Sequence, residues 1–436
     1  MDRRVVVTGI GMVTPLGVGK DRFREALWRG ETGIREITAF PTDAFGSHLG
    51  AEVRDFQPRD FISLKNLRKM DRLSVLTTAS ARMALDDAGI AVTDGNRDRI
   101  GIVMGTAFGN TELKVQSARI LFTEGPGMVN PIHVPNTVMN APAGHASIEL
   151  GFRGVNTTVN HQAVSAETAI AYAAMEIRRG TADVILAGGV EILSPFFYEA
   201  LDRFRALSPA DGGVEGARPF DLARNGPVMG EGCGIVCLEA AELARERGAS
   251  PYAEVTGWGL ASSPSPLTGW PADPHGFLLA LGKAMRMAGA IPVDIDLIQA
   301  AANGGFELDA LEAAAYERVF GGGGDMKPLI TSLKGATGEI FSSGGIRAAA
   351  LALSVREGVV PPTVGLTTPM CSLPFVLGEA RRLPVKKALL SGISFGGTYA
   401  CLIFEERPLH NSLICHPGES RGPEGLEKTG YRLPPV

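Results

Sequence analysis

The strongest constraint in this sequence is a rhythm. Short apolar runs that end in small residues alternate with stretches of helical periodicity. In the first half the runs are "RVVVTGIG" (4–11), "IGIVMGTAFG" (100–109), "NTTVNH" (156–161), "ADVILAGG" (182–189) and "GIVCLE" (234–239). Between them lie helical patterns such as "SVLTTASARMALDDAGI" (74–90) and "SAETAIAYAAMEIRRG" (165–180). Strands this short and unbroken bury both faces, and their alternation with helices predicts an α/β fold around a mainly parallel sheet.

The second half repeats the order. "AEVTGWGLAS" (253–262), "IDLIQAAA" (295–302) and "PLITSLKG" (328–335) read as strands, and "GFLLALGKAMRMAGA" (276–290), "LDALEAAAYERVFG" (308–321) and "GGIRAAALALSVREG" (344–358) as helices. "KALLSGISFGGTYACLIFEE" (387–406) closes as two strands around a glycine turn. Two halves of similar layout imply an internal duplication, residues 1–250 and 251–408, with the break near "ARERGASPYAE" (244–254). From Leu409 to Val436 the chain turns rich in Pro, Gly and charge without apolar period, and reads as a disordered tail.

Composition narrows the function classes. Hydrophobic residues are 45% of 436, enough for a large core, and a formal net charge of −5 gives no footprint of nucleic-acid binding. The five cysteines are scattered and odd in number, which predicts no disulfide framework; Cys233 and Cys237 lie in strand pattern and read as packed thiols. "MDRRVVVTGIGMVTPLG" lacks the apolar length of a signal peptide, and no run reaches the roughly 18–20 apolar residues of a spanning helix. A reducing cytoplasm, with no membrane and no nucleic-acid partner, is the expectation. No histidine pattern matches a metal site, and the glycine run "FGGGGD" (320–325) lacks the "GK[ST]" of a phosphate loop and reads as a surface turn, so no cofactor or metal is expected.

Several motifs then occur together in order: "VVVTGIGMVTPLG" at the start, "PNTVMNAPAGHASIELGFRG" (135–154), "ADVILAGG", "RPFDLARNGPVMGEGCGIVCLE" (218–239), "SLKGATG" (332–338) and "SGISFGGT" (391–398). On these, residues 1 to about 407 resemble the β-ketoacyl-acyl-carrier-protein synthases. The resemblance implies a thiolase fold, two duplicated βαβαβ-type halves in a five-layer αβαβα arrangement, usually dimeric. It also implies a cysteine nucleophile at a strand-to-helix elbow and two histidines. There a helix N-terminus and hydrogen-bond donors favour the thiolate and the developing oxyanion.

This chain departs from that pattern at all three positions. "GFRGVNTTVNHQAV" places Ala163 where the cysteine belongs; "QAAANGGFELDALE" keeps Asp309 and Glu312 but places Ala301 at the first histidine; Lys334, Thr337 and Gly338 are followed by Glu339 at the second. Three losses among retained motifs are similar to the chain-length factors, the non-catalytic partners of ketosynthases in type II polyketide systems, and "FELD" (306–309) and "TGEIFSSGG" (337–345) fit that branch. The resemblance implies a subunit pairing with an active ketosynthase, or with itself, and meeting an acyl carrier protein. Chain-length factors often carry glutamine at the nucleophile's place, whereas here Gln162 stands one residue earlier. The alternative is an enzyme, an acyltransferase or malonyl-carrier-protein decarboxylase or hydrolase, with His161, Gln162, Asn303 or Glu339 as surrogates.

Other residues carry two readings each. His161 reads as hydrogen-bonded at the strand end, against a surrogate acid or base. Ser165 reads as a helix cap, against a nucleophile. Lys334 and Glu339 form a local ion pair or face solvent separately. Phe395 matches the family's gating phenylalanine or is core. Lys65, Arg68 and Lys69, at helical spacing in "SLKNLRKMDR", form a carrier-protein docking face or a solvated basic one. "NTELKVQSARILF" (110–122) and "NTVMN" (136–140) correspond to family regions near the dimer interface and tunnel end.

Overall fold

The computed structural model describes residues 3–321 and 328–406. The tail from Leu409 and most of the glycine run at 320–325 lie outside the described residues. Ten strands form two five-stranded halves of one continuous sheet, with Gly17–Val18 pairing beside the first strand. The first holds β1 (Val5–Thr14), β2 (Ile100–Gly105), β3 (Asn156–Val159), β4 (Val184–Glu191) and β5 (Gly232–Ala240), in spatial order β3-β2-β4-β5-β1. The second holds β6 (Ala253–Ser262), β7 (Leu297–Gln299), β8 (Leu329–Thr331), β9 (Lys387–Ser394) and β10 (Thr398–Glu405), in order β8-β7-β9-β10-β6. Numbered within its own half, each sheet runs 3-2-4-5-1. Two pairs between β1 and β6, Val6↔Glu254 and Val7↔Ala253, join the sheets at one corner.

The sheets are mixed, not mainly parallel. β2 pairs parallel with β3 and β4, but β5 runs antiparallel to both β4 and β1. The second half repeats this: β7 is parallel to β8 and β9, and β10 is antiparallel to β9 and β6. Strands joined by a turn as short as 395–397 can only run antiparallel, so the glycine turn was itself the signal that the last strand reverses.

Three helical layers enclose the sheets. α1 (Arg72–Ala88) and α3 (Ala141–Leu150) cover the outer face of the first sheet, with Leu76, Ala84 and Ala143 packing on Ile100, Ile102 and Val184. α4 (Ser165–Arg178) and α8 (Gly344–Glu357) fill the centre, where Ile170, Ala173, Leu351 and Leu353 meet Val236 on one side and Leu390 and Leu402 on the other. α6 (His275–Ala288) and α7 (Phe306–Phe320) cover the second sheet through Phe277, Leu281 and Tyr316. α2 (Thr111–Thr123) and α5 (Pro195–Arg203) lie at one end.

The duplication extends to atomic packing. Gly9 and Gly11 of β1 lie so close to α1 that a Cβ would fall 2.1 Å from the Ala84 carbonyl and 1.8 Å from that of Ser80. Gly257 and Gly259 of β6 meet α6 the same way, at 2.3 Å from the Ala284 carbonyl and 1.9 Å from that of Ala280. Backbone contact this close admits only glycine.

Candidate active site and its replacement chemistry

β3 ends at Val159 against the centre of the fold. Asn160 ties the exit to the loop after β2, with Nδ2 donating to the carbonyls of Thr106 at 2.9 Å and Ala107 at 2.8 Å. A short 3₁₀ turn, Gln162–Val164, then feeds α4. Gln162 sits at φ 50, a left-handed conformation that costs a non-glycine residue roughly 1–2 kcal/mol. Ala163 is buried, and its N–H donates to Ser394 Oγ of β9 at 3.2 Å. Ser394 Oγ in turn donates to Gln162 Oε1 at 3.2 Å.

Ser165 does not cap α4. The cap position is Val164, without a side-chain cap bond. Ser165, fully buried, instead braces the turn: its Oγ accepts from the His161 N–H at 2.8 Å and donates to the Gln162 carbonyl at 2.6 Å. The tight turn brings those groups nearer to Oγ than the helix's own N–H groups. The His161 residue is exposed, and its one ring contact is Nδ1 at 3.4 Å from Thr168 Oγ1. That contact lies on the first turns of α4 rather than at the strand end.

The loop after β7 is held by two buried carboxylates of α7. Glu312 accepts from the N–H groups of Ala301 at 2.9 Å and Ala302 at 2.7 Å, and from Ser391 Oγ of β9 at 2.5 Å. Asp309 accepts from Asn303 N–H at 2.9 Å and Phe220 N–H at 2.7 Å. Burial pushes the Asp309 carboxyl up to about 7, against the pull of those N–H donors.

Lys334 and Glu339 form a buried ion pair, Nζ to Oε2 at 2.7 Å, with exposures of 3% and 2%. The same Oε2 accepts from Asn303 Nδ2 at 2.6 Å. The backbone of Glu339 is pinned as well, its N–H donating to the Val228 carbonyl and its carbonyl accepting from Gly230. Of the two readings open in sequence, solvent-facing residues are excluded. Beside this pair lies a second: Arg347 of α8 donates to Glu167 of α4 at 2.6 Å and to the carbonyls of Gln299, at 3.1 Å, and Ser391. Burial pushes the Glu167 carboxyl up, opposed chiefly by Arg347.

Hydrogen bonds therefore connect Ala163, Ala301 and Glu339. Ala163 and Ala301 both reach β9, through Ser394 and through Glu312 with Ser391, while Glu339 reaches the Ala301 loop through Asn303. Sequence reading missed Glu167, Arg347 and Glu191. Each is the one charge in a stretch of apolar and small residues (165–175, 344–355 and 184–191), and that mismatch was the available signal. Glu191, at the end of β4, accepts from Thr106 Oγ1 at 2.9 Å, Ser342 Oγ at 3.1 Å and the Ala107 N–H. Burial pushes its carboxyl up to about 7.

Phe395 is half-buried and belongs to an aromatic row. It meets Trp270 at 6.2 Å and Phe341 at 6.1 Å between ring centroids; Phe341 meets Phe108 at 4.9 Å, and Phe108 meets Phe197 at 4.0 Å. Gly396 and Gly397, both at φ 77, make the turn that carries Phe395.

Lys65, Arg68 and Lys69 are all exposed and make no ion pair with another described residue. They do not share a helical face. The helix spans only Leu64–Leu67, Arg68 is its C-cap and Lys69 lies beyond it, because Asp71 already caps α1. Nearby, α2 and the segments up to α3 expose Phe122, Met128, Val134, Val138 and Ile148.

A thioester-forming nucleophile needs a thiolate or activated hydroxyl. Ala163 supplies neither. Cys233 and Cys237 are wholly buried in β5, with burial pushing both thiols up to about 12. Among the described residues no group of three or more His, Cys, Asp or Glu is placed to hold a metal ion, and no helix is long and apolar enough to cross a membrane.

Comparison with known proteins adds the last observations. Residues 2–244 match the model of the beta-ketoacyl synthase N-terminal domain, and residues 252–367 that of the C-terminal domain. The chain is 33% identical over 406 residues to 3-oxoacyl-[acyl-carrier-protein] synthase 2 of Coxiella burnetii, covering 92% of this chain and 98% of that one. Among solved structures it is similar to the ishigamide ketosynthase/chain length factor, with TM-score 0.86, 30% identity and coverage of 94% and 100%. It is also similar to a chain of the complex of a type II PKS acyl-carrier protein with its ketosynthase bound to the hexaketide, with TM-score 0.85, 26% identity and coverage of 93% and 100%.

Proposed function

We propose that this chain, which belongs to the beta-ketoacyl synthase family, works in fatty-acid or polyketide synthesis as a subunit that does not itself form carbon–carbon bonds. It pairs with a cysteine-bearing β-ketoacyl-acyl-carrier-protein synthase, in the manner of a chain-length factor. The observation that carries the reading is the elbow: fold, strained turn and helix are in place, and the turn Gln162–Val164 carries the amide of Gln162 and the methyl of Ala163 but no thiol or hydroxyl. A methyl group forms no thioester.

The rest of the site supports the same reading. An enolate formed near Glu339 meets a carboxylate. At about 4 Å and an effective dielectric of about 20 the repulsion is about 4 kcal/mol, less what Lys334 neutralises. The surrogate chemistry loses support, because Asn303 Nδ2 and Lys334 Nζ are both directed to Glu339 and the His161 residue faces outward.

Among the described strands β3 is terminal in its sheet, and no described strand pairs with its outer edge. Of the exposed apolar residues of 122–148, Ile148 lies on α3, which packs on β3. An open edge and exposed apolar side chains fit a partner subunit. One similar solved structure is the ishigamide ketosynthase/chain length factor, which supports a heterodimer. Lys65, Arg68 and Lys69, exposed and unpaired, fit an acidic carrier protein.

Co-expression with a family member that has the elbow cysteine and both histidines tests the pairing. Native mass spectrometry is expected to show a 1:1 complex. A stable homodimer or monomer that ignores such partners would count against it.

A further inference from the structure

We infer that Gln162 is a carbonyl-recognising residue, whose side-chain amide N–H groups bind the thioester carbonyl of an acyl group held noncovalently at the elbow. The inference rests on the reading of Ala163 as a site without a nucleophile. Two independent features place the group. The backbone of Gln162 is held at φ 50 between the Asn160 anchor and the start of α4, so the fold fixes where its side chain leaves the turn. The amide is then oriented by a relay. Ala163 N–H donates to Ser394 Oγ, and the single hydroxyl proton of Ser394 goes to Gln162 Oε1.

With Oε1 committed to Ser394, Nε2 is the free end. It makes no hydrogen bond to another described residue, on a side chain that is half-buried. The amide lies beside the turn after β9, where a Cβ on Gly396 would stand 3.5 Å from Gln162 Oε1. The Ala163 N–H is already directed to Ser394, and Asn303 Nδ2 and Lys334 Nζ are directed to Glu339.

The same surroundings select the ligand's class. A neutral carbonyl oxygen accepts from an amide N–H without bringing a charge into the site, whereas a free carboxylate, as in a malonyl group, would need a cation, and Lys334 is already paired with Glu339. The aromatic row from Phe395 through Phe341 to Phe108 offers the adjoining apolar surface for an alkyl chain. The ligand is therefore a simple acyl thioester rather than a malonyl one.

The test uses the full chain, alone and in its partner complex, with octanoyl-N-acetylcysteamine carrying a 13C carbonyl. Its thioether analogue, in which CH2 replaces the carbonyl, is the comparator. Binding is expected to shift the carbonyl resonance downfield. Gln162→Leu should weaken the thioester about three- to tenfold, the worth of one neutral hydrogen bond, and abolish the shift, while leaving the thioether's affinity unchanged. Ser394→Ala, which removes the orienting hydroxyl but not the amide, should act in the same direction with a smaller effect. Equal affinity and an unchanged shift in Gln162→Leu, or no binding by the unaltered protein, would overturn the inference. A covalent octanoyl adduct would instead overturn the absence of a nucleophile, so the two failures are distinguishable.

Discussion

The elbow and the 334–339 segment close the same site in opposite ways. At the elbow the backbone is costly and no side chain is a nucleophile: Gln162 holds a left-handed conformation next to the buried methyl of Ala163. At the other end the positive φ falls on Gly338, where it costs little, and the side chains carry the cost, with Lys334, Glu339 and Asn303 locked together out of water. The difference teaches where stability and chemistry reside. Strain kept at the elbow is what a positioned ligand group needs; a buried ion pair contributes order, and is expensive chiefly when half of it is removed.

The largest effect expected from this contrast is on the ion pair. Glu339→Ala leaves Lys334 buried and uncompensated, and should cost about 3–5 kcal/mol in urea unfolding. Lys334→Met combined with Glu339→Leu should recover most of that loss, a coupling that a double-mutant cycle measures. If the single and double variants unfold alike, the 334–339 end is not held by charge and the contrast breaks.

Next is a pH effect at Glu191, which ties the loop after β2 to Ser342. Its folded carboxyl is raised to about 7 from 4.5. The folded state therefore binds the extra proton, and this group's contribution to stability falls as pH rises from about 4.5 through 7. A shift of that size is on the order of 3 kcal/mol. Glu191→Gln should lose less stability between pH 5 and 8.5 than the unaltered chain, as read from urea midpoints. An identical pH slope would contradict the burial argument.

A smaller expectation sharpens the elbow side. Ala163→Cys should accept iodoacetamide yet produce no β-ketoacyl product, because Ala301 and Glu339 leave no histidine to act on an enolate. Product from that single substitution would mean that the opposite end of the site is not closed. The smallest effect is at the surface. Charge reversal of Lys65, Arg68 and Lys69 should change stability by less than about 0.5 kcal/mol. It should slow carrier-protein association in a salt-dependent way, measurable by stopped flow.

What was legible in the sequence was local. Both halves of the fold, the strand–turn–helix at 156–178 and the glycine turn at 396–397 follow from periodicity and small residues. The Lys334–Glu339 pair was visible as an option because five positions separate its members. The Glu167–Arg347 pair was not, since 180 positions separate them and only the stacking of α4 on α8 brings them together. Strand direction was misjudged for a related reason: β10 follows β9 across a three-residue turn, and β5 returns antiparallel beside β4 although α5 lies between them. At Leu64–Leu67 helical spacing outran the helix, because the cap of α1 follows at Asp71.

The central claim is that the tip of the elbow does no covalent chemistry. Intact-mass analysis of the purified chain after incubation with an acyl-carrier-protein thioester tests it most directly. The account predicts an unchanged mass for this chain, with acylation confined to the cysteine-bearing partner when one is present. A stable acyl adduct on this chain alone would contradict it.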